Sequence, residues 1–79
     1  DTIIGRENFG KEILAAYMTV SRHHAEIMYT NNKWHIKDLN TTNGTFLNNI
    51  RLLPNSLNII TNGDELKLSS TVKMIIEIL

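Results

Sequence analysis

Four short polar stretches carry the side chains that could bind a ligand, and they are spread along the whole chain. They are Gly5-Arg6, Ser21-Arg22-His23-His24, Asn40-Thr41-Thr42-Asn43-Gly44-Thr45-Phe46 and Asn62-Gly63-Asp64. Each lies where strand-forming residues give way to turn residues, so we expect loops, several of them at one end of a β-fold, where binding groups concentrate. The donors are guanidinium, hydroxyl and amide groups, and this set suits an oxyanion, above all a phosphate on a peptide.

Alternation of apolar and polar residues from Ala25 onward predicts the strands that must hold these loops. A period of two is typical of half-buried strands. We expect a hairpin that turns at residues 31–32 and another that turns at residues 48–49, where asparagines can take the positive φ of a type I′ turn. Two further strands are expected at residues 65–68 and 72–78. Strands joined by short turns predict an all-β antiparallel sandwich.

Two segments depart from the alternation. Residues 11–18 contain fair helix formers, so the region 7–17 is expected to hold a short helix or an irregular loop. Pro54 and the polar run 55–58 predict a loop. Trp34 and Phe46 fall within the alternating pattern and are expected in the core.

The composition limits the classes of function. A chain of 79 residues predicts a single domain, 1–79, of modest stability. Eight Lys and Arg balance eight Asp and Glu, so neither nucleic acid nor an anionic membrane is an expected partner. The absence of cysteine argues against disulfides and thiolate metal sites, and we expect a cytoplasmic location. No apolar run approaches the roughly 20 residues of a membrane span.

The order and spacing of the four stretches resemble the forkhead-associated (FHA) domain, a family of phosphothreonine-peptide binding modules. The resemblance covers residues 4–68 and is strong only when the four motifs are taken together. It implies an FHA-type (SMAD/FHA-like) antiparallel β-sandwich with its binding loops at one end. Members usually carry one or two strands before the first motif. The N-terminal strands are therefore expected to be missing, and residues 1–79 to be a fragment of a larger protein.

The resemblance also implies a role for each residue of the site. Side chains expected to contact the phosphopeptide are Arg6, Ser21, Arg22, Thr42 and Asn43. Residues expected to support the site structurally are Gly5, His24 and Gly44. A planar guanidinium at Arg6 would grip phosphate oxygens in bidentate fashion. The ordinary alternative is a surface arginine paired with Glu7 or Glu26.

A hydrolase is the enzymatic alternative, because Ser21, His24 and either Asp38 or Asp64 are the residue types of a triad. Nothing in the sequence resembles a nucleophile elbow, so no catalytic residue is expected. The histidines lack carboxylates at ligand spacing, so neither a metal nor another cofactor is expected. The favoured function is a phosphothreonine-peptide reader, a monomeric domain within a larger signalling or scaffold protein. The alternative is a phosphate-independent protein-interaction or self-association module of the same fold.

Overall fold

The computed structural model describes residues 2–78, and eight β-strands and one short helix lie within that range. The strands are β1 (Thr2–Ile4), β2 (Ala25–Thr30), β3 (Lys33–Asp38), β4 (Thr45–Leu47), β5 (Ile50–Arg51), β6 (Asn58–Ile59), β7 (Glu65–Leu68) and β8 (Val72–Ile75), and the helix is α1 (Lys11–Leu14). The strands form two four-stranded antiparallel sheets, and the predicted all-β sandwich is confirmed.

The first sheet has the strand order β1-β2-β3-β6, and the second has the order β5-β4-β7-β8. Their inward faces share one core because apolar side chains alternate with polar ones along the strands. Its buried members are Ile4, Leu14, Val20, Ala25, Ile36, Leu52, Ile60, Leu66 and Leu68. The last strand ends at Ile75 rather than at residue 78, and of its predicted apolar face Val72, Met74 and Ile76 pack against this core.

Asparagine pairs close two of the hairpins. Asn31 and Asn32 have φ values of 53° and 60°, and Asn48 and Asn49 have values of 50° and 68°. Asparagine tolerates this left-handed region better than most residues because its short side chain can hydrogen-bond locally. Both predicted turns are confirmed.

The expected short helix in the region 7–17 is observed, whereas the predictions for Asn58 and Trp34 need correction. The helix is a single turn, held by burial of Leu14, since four residues are too few for a stable isolated helix. Asn58, predicted to lie in a loop, begins β6 and pairs with Ile36 of β3. Trp34 is 40% exposed and packs on Tyr29 with ring centroids 5.0 Å apart, so its predicted core position is wrong.

Phe46 is also not a core residue. It is half-buried and lies opposite Arg51 in the β4–β5 pairing, with the guanidinium carbon 6.0 Å from the ring centroid. Its neighbours in the sequence, Thr45 and Leu47, face the interior. A residue between two inward-facing neighbours points outward, because successive side chains of a strand alternate between its faces.

The connections gather at two ends of the sandwich. One end, which we call the loop end, consists of residues 5–10, 18–24 and 39–44 and the turn 69–71. Backbone hydrogen bonds hold it together and join Ile4 to His24, His24 to Leu39, and Gly44 to Ser69. Turns 31–32 and 48–49 and the loop 60–64 form the other, the hairpin end. Three of the four polar stretches of the sequence therefore meet at the loop end, and residues 62–64 lie at the hairpin end.

Within residues 2–78 no helix has the length and apolar character needed to cross a membrane.

Candidate functional site

The loop that carries Arg6 runs alongside the loop that carries Ser21. The backbone N–H of Arg6 donates to the Ser21 carbonyl at 3.1 Å, and that of Glu7 donates to the Arg22 carbonyl at 3.3 Å. This close approach requires a glycine at position 5, because a Cβ there would lie 2.1 Å from the Arg22 carbonyl oxygen. Gly5 therefore supports the site by bringing the two backbones together.

The side chain of Arg6 is held by neutral groups. Its Nε–H donates to the Val20 carbonyl, and its Nη1 donates to the sulfur of Met18 at 3.6 Å. Among residues 2–78 no carboxylate lies within 4.0 Å of this guanidinium. The positive charge is thus positioned but not neutralised, which suits it to receive an anion.

The carboxylates that sequence alone could have assigned to Arg6 pair with other residues. Glu7 lies 3.1 Å from Arg22 Nε, and Glu26 lies 3.6 Å from Lys37 Nζ. The Arg22 and Glu7 side chains are well exposed, and exposed ion pairs contribute only about 0–1 kcal/mol. Arg22 can therefore leave Glu7 for a phosphate at little cost.

His24 connects the Ser21 loop to the loop before β4. The backbone N–H of Ser21 donates to His24 Nδ1 at 3.0 Å, and His24 Nε2 lies 2.8 Å from the Gly44 carbonyl oxygen. Because Nδ1 accepts, Nε2 must be the donor, and the ring is neutral. Burial lowers the pKa of His24 below 6.5, against the opposing effects of the Gly44 bond and the Asp38 charge. We call this arrangement the His24 bridge.

The His24 bridge excludes the hydrolase triad. Both ring nitrogens are engaged with backbone groups, so neither is available to the Ser21 hydroxyl as a general base. A triad needs that contact between nucleophile and base.

Asp38, at the end of β3, organises the loop that follows it. Its Oδ1 accepts from the hydroxyls of Thr41 and Thr45 at 2.7 and 2.6 Å, and its Oδ2 accepts from the Thr41 N–H at 3.0 Å. Burial acts to raise the pKa of this carboxyl, but the hydrogen bonds from Thr45 and Thr41 outweigh it and the pKa is lowered. The ionised carboxylate therefore fixes the conformation of residues 38–45.

The same loop presents Thr42 and Asn43. Thr41 is occupied, since its hydroxyl also accepts from the Gly44 N–H at 3.0 Å. The Asn43 amide nitrogen donates to the Thr19 carbonyl at 2.9 Å, which leaves the amide oxygen without a hydrogen-bond partner among residues 2–78. The Thr42 hydroxyl is exposed and, like that of Ser21, makes no hydrogen bond to any residue in the range 2–78.

A family model for the FHA domain matches residues 2–69. The chain belongs to the FHA domain family. The predicted family and fold are confirmed.

Similar proteins agree with this assignment. The probable E3 ubiquitin-protein ligase dma1 of Schizosaccharomyces pombe is 47% identical over 55 residues, with 65% of this chain and 21% of the ligase covered. The FHA domain of an Arabidopsis thaliana hypothetical protein is 32% identical, with 98% of this chain and 66% of that chain covered and a TM-score of 0.81. An FHA domain solved in a study of phosphothreonine-dependent FHA domain interactions is 29% identical, with 99% and 76% covered and a TM-score of 0.79.

The chain spans about a fifth of the curated ligase that it matches. The ligase activity of that protein is a property of a much longer chain. The present FHA domain corresponds to one part of it.

This FHA domain also contains supporting contacts that the sequence did not predict. Asn8 donates its amide to the Arg22 carbonyl at 2.8 Å and contacts His23 Nδ1, so it supports the Arg22 backbone. Thr19 joins Ser69 and Thr71 in a cluster of hydroxyls, with oxygens 2.6 to 3.1 Å apart, which attaches the β7–β8 turn to the Ser21 loop. The Asn8 contacts join residues 14 or 15 positions apart and the Thr19 contacts join residues 50 or 52 apart, so no local pattern could have indicated them.

Asp38, which the sequence offered only as a possible triad member, had a local signal for its role in the loop. An aspartate three residues before a threonine is typical of a side-chain-closed turn. Among the described residues, no three or more His, Cys, Asp or Glu side chains are grouped so that they could hold a metal ion. The loop end therefore presents a fixed cation, Arg6, and the hydroxyl groups of Ser21 and Thr42, and groups of these types can bind an anion.

Proposed function

We propose that the loop end of this FHA domain binds phosphothreonine peptides. One observation carries the proposal: the Arg6 guanidinium is fixed by the Val20 carbonyl with its charge unpaired among the described residues, on a loop whose backbone is hydrogen-bonded to that of Ser21. The His24 bridge holds the Ser21 and Thr42 loops together before any ligand arrives. Such preorganisation lowers the entropic cost of binding. A similar domain at 29% identity has been studied for phosphothreonine-dependent interactions.

Each residue of the proposed site contacts the part of the phosphopeptide that its chemical group can bind. Arg6 takes phosphate oxygens through its free guanidinium edge, and Arg22 supplies a second cation once it leaves Glu7. Ser21 and Thr42 donate hydroxyl hydrogen bonds to the phosphate. The Asn43 amide oxygen accepts a backbone N–H of the peptide, which orients the partner along the loop.

The domain acts as a noncatalytic reader within a larger cytoplasmic signalling or scaffold protein, and it recognises its partner protein as a monomer. The charge balance of the chain, with eight basic and eight acidic residues, supports a protein partner over nucleic acid or a membrane. Recognition then depends on short-range contacts with the phosphate and its flanking residues.

The test is Arg6→Ala. A hydrogen bond to a charged group contributes about 1.5 to 3 kcal/mol, and the guanidinium can form two, so the affinity for a phosphothreonine peptide should fall at least tenfold. Calorimetry measures the dissociation constant, and circular dichroism checks that the sheets remain. Lys33→Ala, at the hairpin end, is the matched control and should bind as wild type does.

Two outcomes would contradict the proposal. Unchanged binding by Arg6→Ala would mean that the phosphate lies elsewhere on the domain. Equal affinity of the wild type for phosphorylated and unphosphorylated peptides would mean that the domain is a phosphate-independent interaction module.

A further inference from the structure

Arg51 is a second fixed guanidinium next to the proposed phosphate site, and it comes from a different strand. Its Nη2 donates to the carbonyl of Thr42 at 3.1 Å. On one side it lies over the Phe46 ring, with 6.0 Å from the guanidinium carbon to the ring centroid. On another it fills the space beside Gly44, where a Cβ would lie 2.7 Å from Arg51 Nε. The side chain is therefore positioned by contacts with two residues of the binding loop and by an aromatic face.

This guanidinium keeps most of its binding capacity. Arg51 is exposed, and the Thr42 carbonyl is the one hydrogen-bond acceptor that it has among residues 2–78. No carboxylate of that range lies within 4.0 Å of it. An arginine has five N–H donors in a planar fork that matches an oxyanion, so the remaining donors can form a bidentate contact.

The surroundings of Arg51 on the second sheet are also positive. Phe46 pairs with Arg51 on one side and with Lys67 on the other, and Lys67 pairs with Lys73. Cross-strand partners share a face, so three basic side chains lie in one row across the sheet. Glu65 is the carboxylate that pairs with both lysines, at 3.8 and 3.3 Å. The Arg51 end of the row has no such partner among the described residues.

We propose that Arg51 forms an anion subsite that reads an oxyanion next to the phosphothreonine in the partner peptide. The inference rests on the proposed function, because Arg51 is bonded to the backbone of Thr42, the residue assigned to the phosphate. A peptide held by Thr42 and Asn43 passes close to Arg51. The chemistry required is a carboxylate or a second phosphate, and either would complete the guanidinium fork. The partner class is therefore a phosphothreonine peptide with an acidic or doubly phosphorylated flank.

A purely structural role is the competing explanation, in which Arg51 only supports the loop of Thr42 and Gly44. That role predicts that losing Arg51 weakens every phosphothreonine peptide equally. The subsite predicts that the loss is confined to peptides with an acidic flank. The two can be separated by measuring one set of variants against matched peptides.

The experiment measures dissociation constants by calorimetry at fixed ionic strength. One peptide has a phosphothreonine with neutral flanks. A second series carries one aspartate at each position from three before to three after the phosphothreonine, and a third carries phosphoserine at the position of the best aspartate. The proteins are wild type, Arg51→Met, which keeps an apolar side chain against Phe46, Arg51→Lys, which keeps the charge, and the control Lys33→Met.

At one position, aspartate or phosphoserine should strengthen wild-type binding about threefold to tenfold, the range of a partly exposed charge-assisted contact. Arg51→Met should lose that gain and bind the neutral peptide within about twofold of wild type, the small difference expected of an exposed side chain away from the phosphate contacts. Arg51→Lys should keep part of the gain, because a lysine retains the charge but not the fork. If aspartate produces the gain that depends on Arg51, the oxyanion of the natural partner is a carboxylate. If phosphoserine produces it, the oxyanion is a second phosphate.

Each other outcome has a clear meaning. Equal wild-type affinity for neutral and acidic peptides overturns the subsite and leaves the proposed function standing. An equal loss on neutral and acidic peptides in Arg51→Met also overturns it, in favour of the structural role. Failure of the wild type to bind any of the phosphopeptides overturns the proposed function, and the subsite with it.

Discussion

The two ends of the sandwich use the same hydrogen-bonding arrangement for different purposes. At the loop end, Asp38 accepts the N–H and hydroxyl of Thr41 at 3.0 and 2.7 Å. At the hairpin end, Asp64 accepts the N–H and hydroxyl of Thr61 at 2.8 and 3.2 Å. In both, an aspartate closes a turn with a threonine three positions away. The difference lies in what surrounds each carboxylate.

Asp38 is buried and accepts a further hydrogen bond from the Thr45 hydroxyl. It also lies near the His24 bridge, which joins the loops of the two sheets. Asp64 is half-buried, directly precedes β7 and accepts from Asn48 in the turn between β4 and β5, which are strands of the same sheet as β7. The hairpin end is thus closed locally, whereas the loop end is connected from sheet to sheet. Binding groups need such long-range support, because a site is useful only when its donors are already in position.

The largest expected difference between the ends is in stability, and it is tested with Asp38→Ala and Asp64→Ala. Removing Asp38 leaves three donors without their acceptor, and each buried donor left unsatisfied costs about 1–3 kcal/mol. The free energy of unfolding should fall by roughly 3 kcal/mol or more for Asp38→Ala. Water can replace the carboxylate at the exposed turn, so Asp64→Ala should lose much less. Urea denaturation measures both, and similar losses would show that the two turns are equivalent.

A smaller difference between the two ends is expected when the glycine of each end, Gly44 or Gly63, is replaced by alanine. Gly44 and Gly63 have φ values of 86° and 90°, so alanine at either costs roughly 1–2 kcal/mol of backbone strain. A Cβ at Gly63 meets no atom within 4 Å, whereas a Cβ at Gly44 meets the Arg51 guanidinium at 2.7 Å. Both alanine variants should therefore lose stability, and only Gly44→Ala should also weaken binding of a phosphothreonine peptide with an acidic flank, by displacing Arg51. Calorimetry on the two variants checks this, and equal affinities would argue against a role for Arg51 at the site.

The smallest expected effect is a pH dependence that belongs to the loop end. Burial lowers the folded-state pKa of His24 below its ordinary 6.5, so the unfolded chain binds more protons at this residue. The contribution of His24 to the free energy of unfolding is complete above about pH 6.5 and is lost as the pH falls from there towards the folded-state pKa. Urea denaturation between pH 5 and 8 measures the decline, and NMR titration of the imidazole identifies the residue.

His35→Gln is the control for the pH experiment, because His35 lies half-buried in β3 and makes a bond only to the nearby Lys33 carbonyl among the described residues. A decline that persists in His35→Gln is assigned to a residue other than His35. A His24 ring that titrates at or above 6.5 would mean that the bridge does not hold a neutral imidazole.

Several features of this protein were determined by the sequence alone, because their causes are local. Asparagine pairs tolerate positive φ, so residues 31–32 and 48–49 predict their turns wherever they are placed in the fold. Alternation of apolar and polar residues predicts which face of β2, β3 and β7 is buried, because the side-chain period of a strand is two. The four motifs predict the FHA family, and the roles given to Arg6, Ser21, Arg22, Thr42 and Asn43 remain predictions.

The tertiary structure alone decided which groups those residues would meet. The sequence allowed Arg6 to pair with Glu7 or Glu26, and the fold placed it instead on the Val20 carbonyl and gave Glu7 to Arg22. It left Trp34 partly exposed at the hairpin end, made Asp38 the centre of the loop and set Arg51 against Gly44. Contacts between distant residues depend on how two sheets pack and where their loops converge, and a local pattern carries no information about that distance. The electrostatic character of the loop end is therefore a property of the packed sandwich.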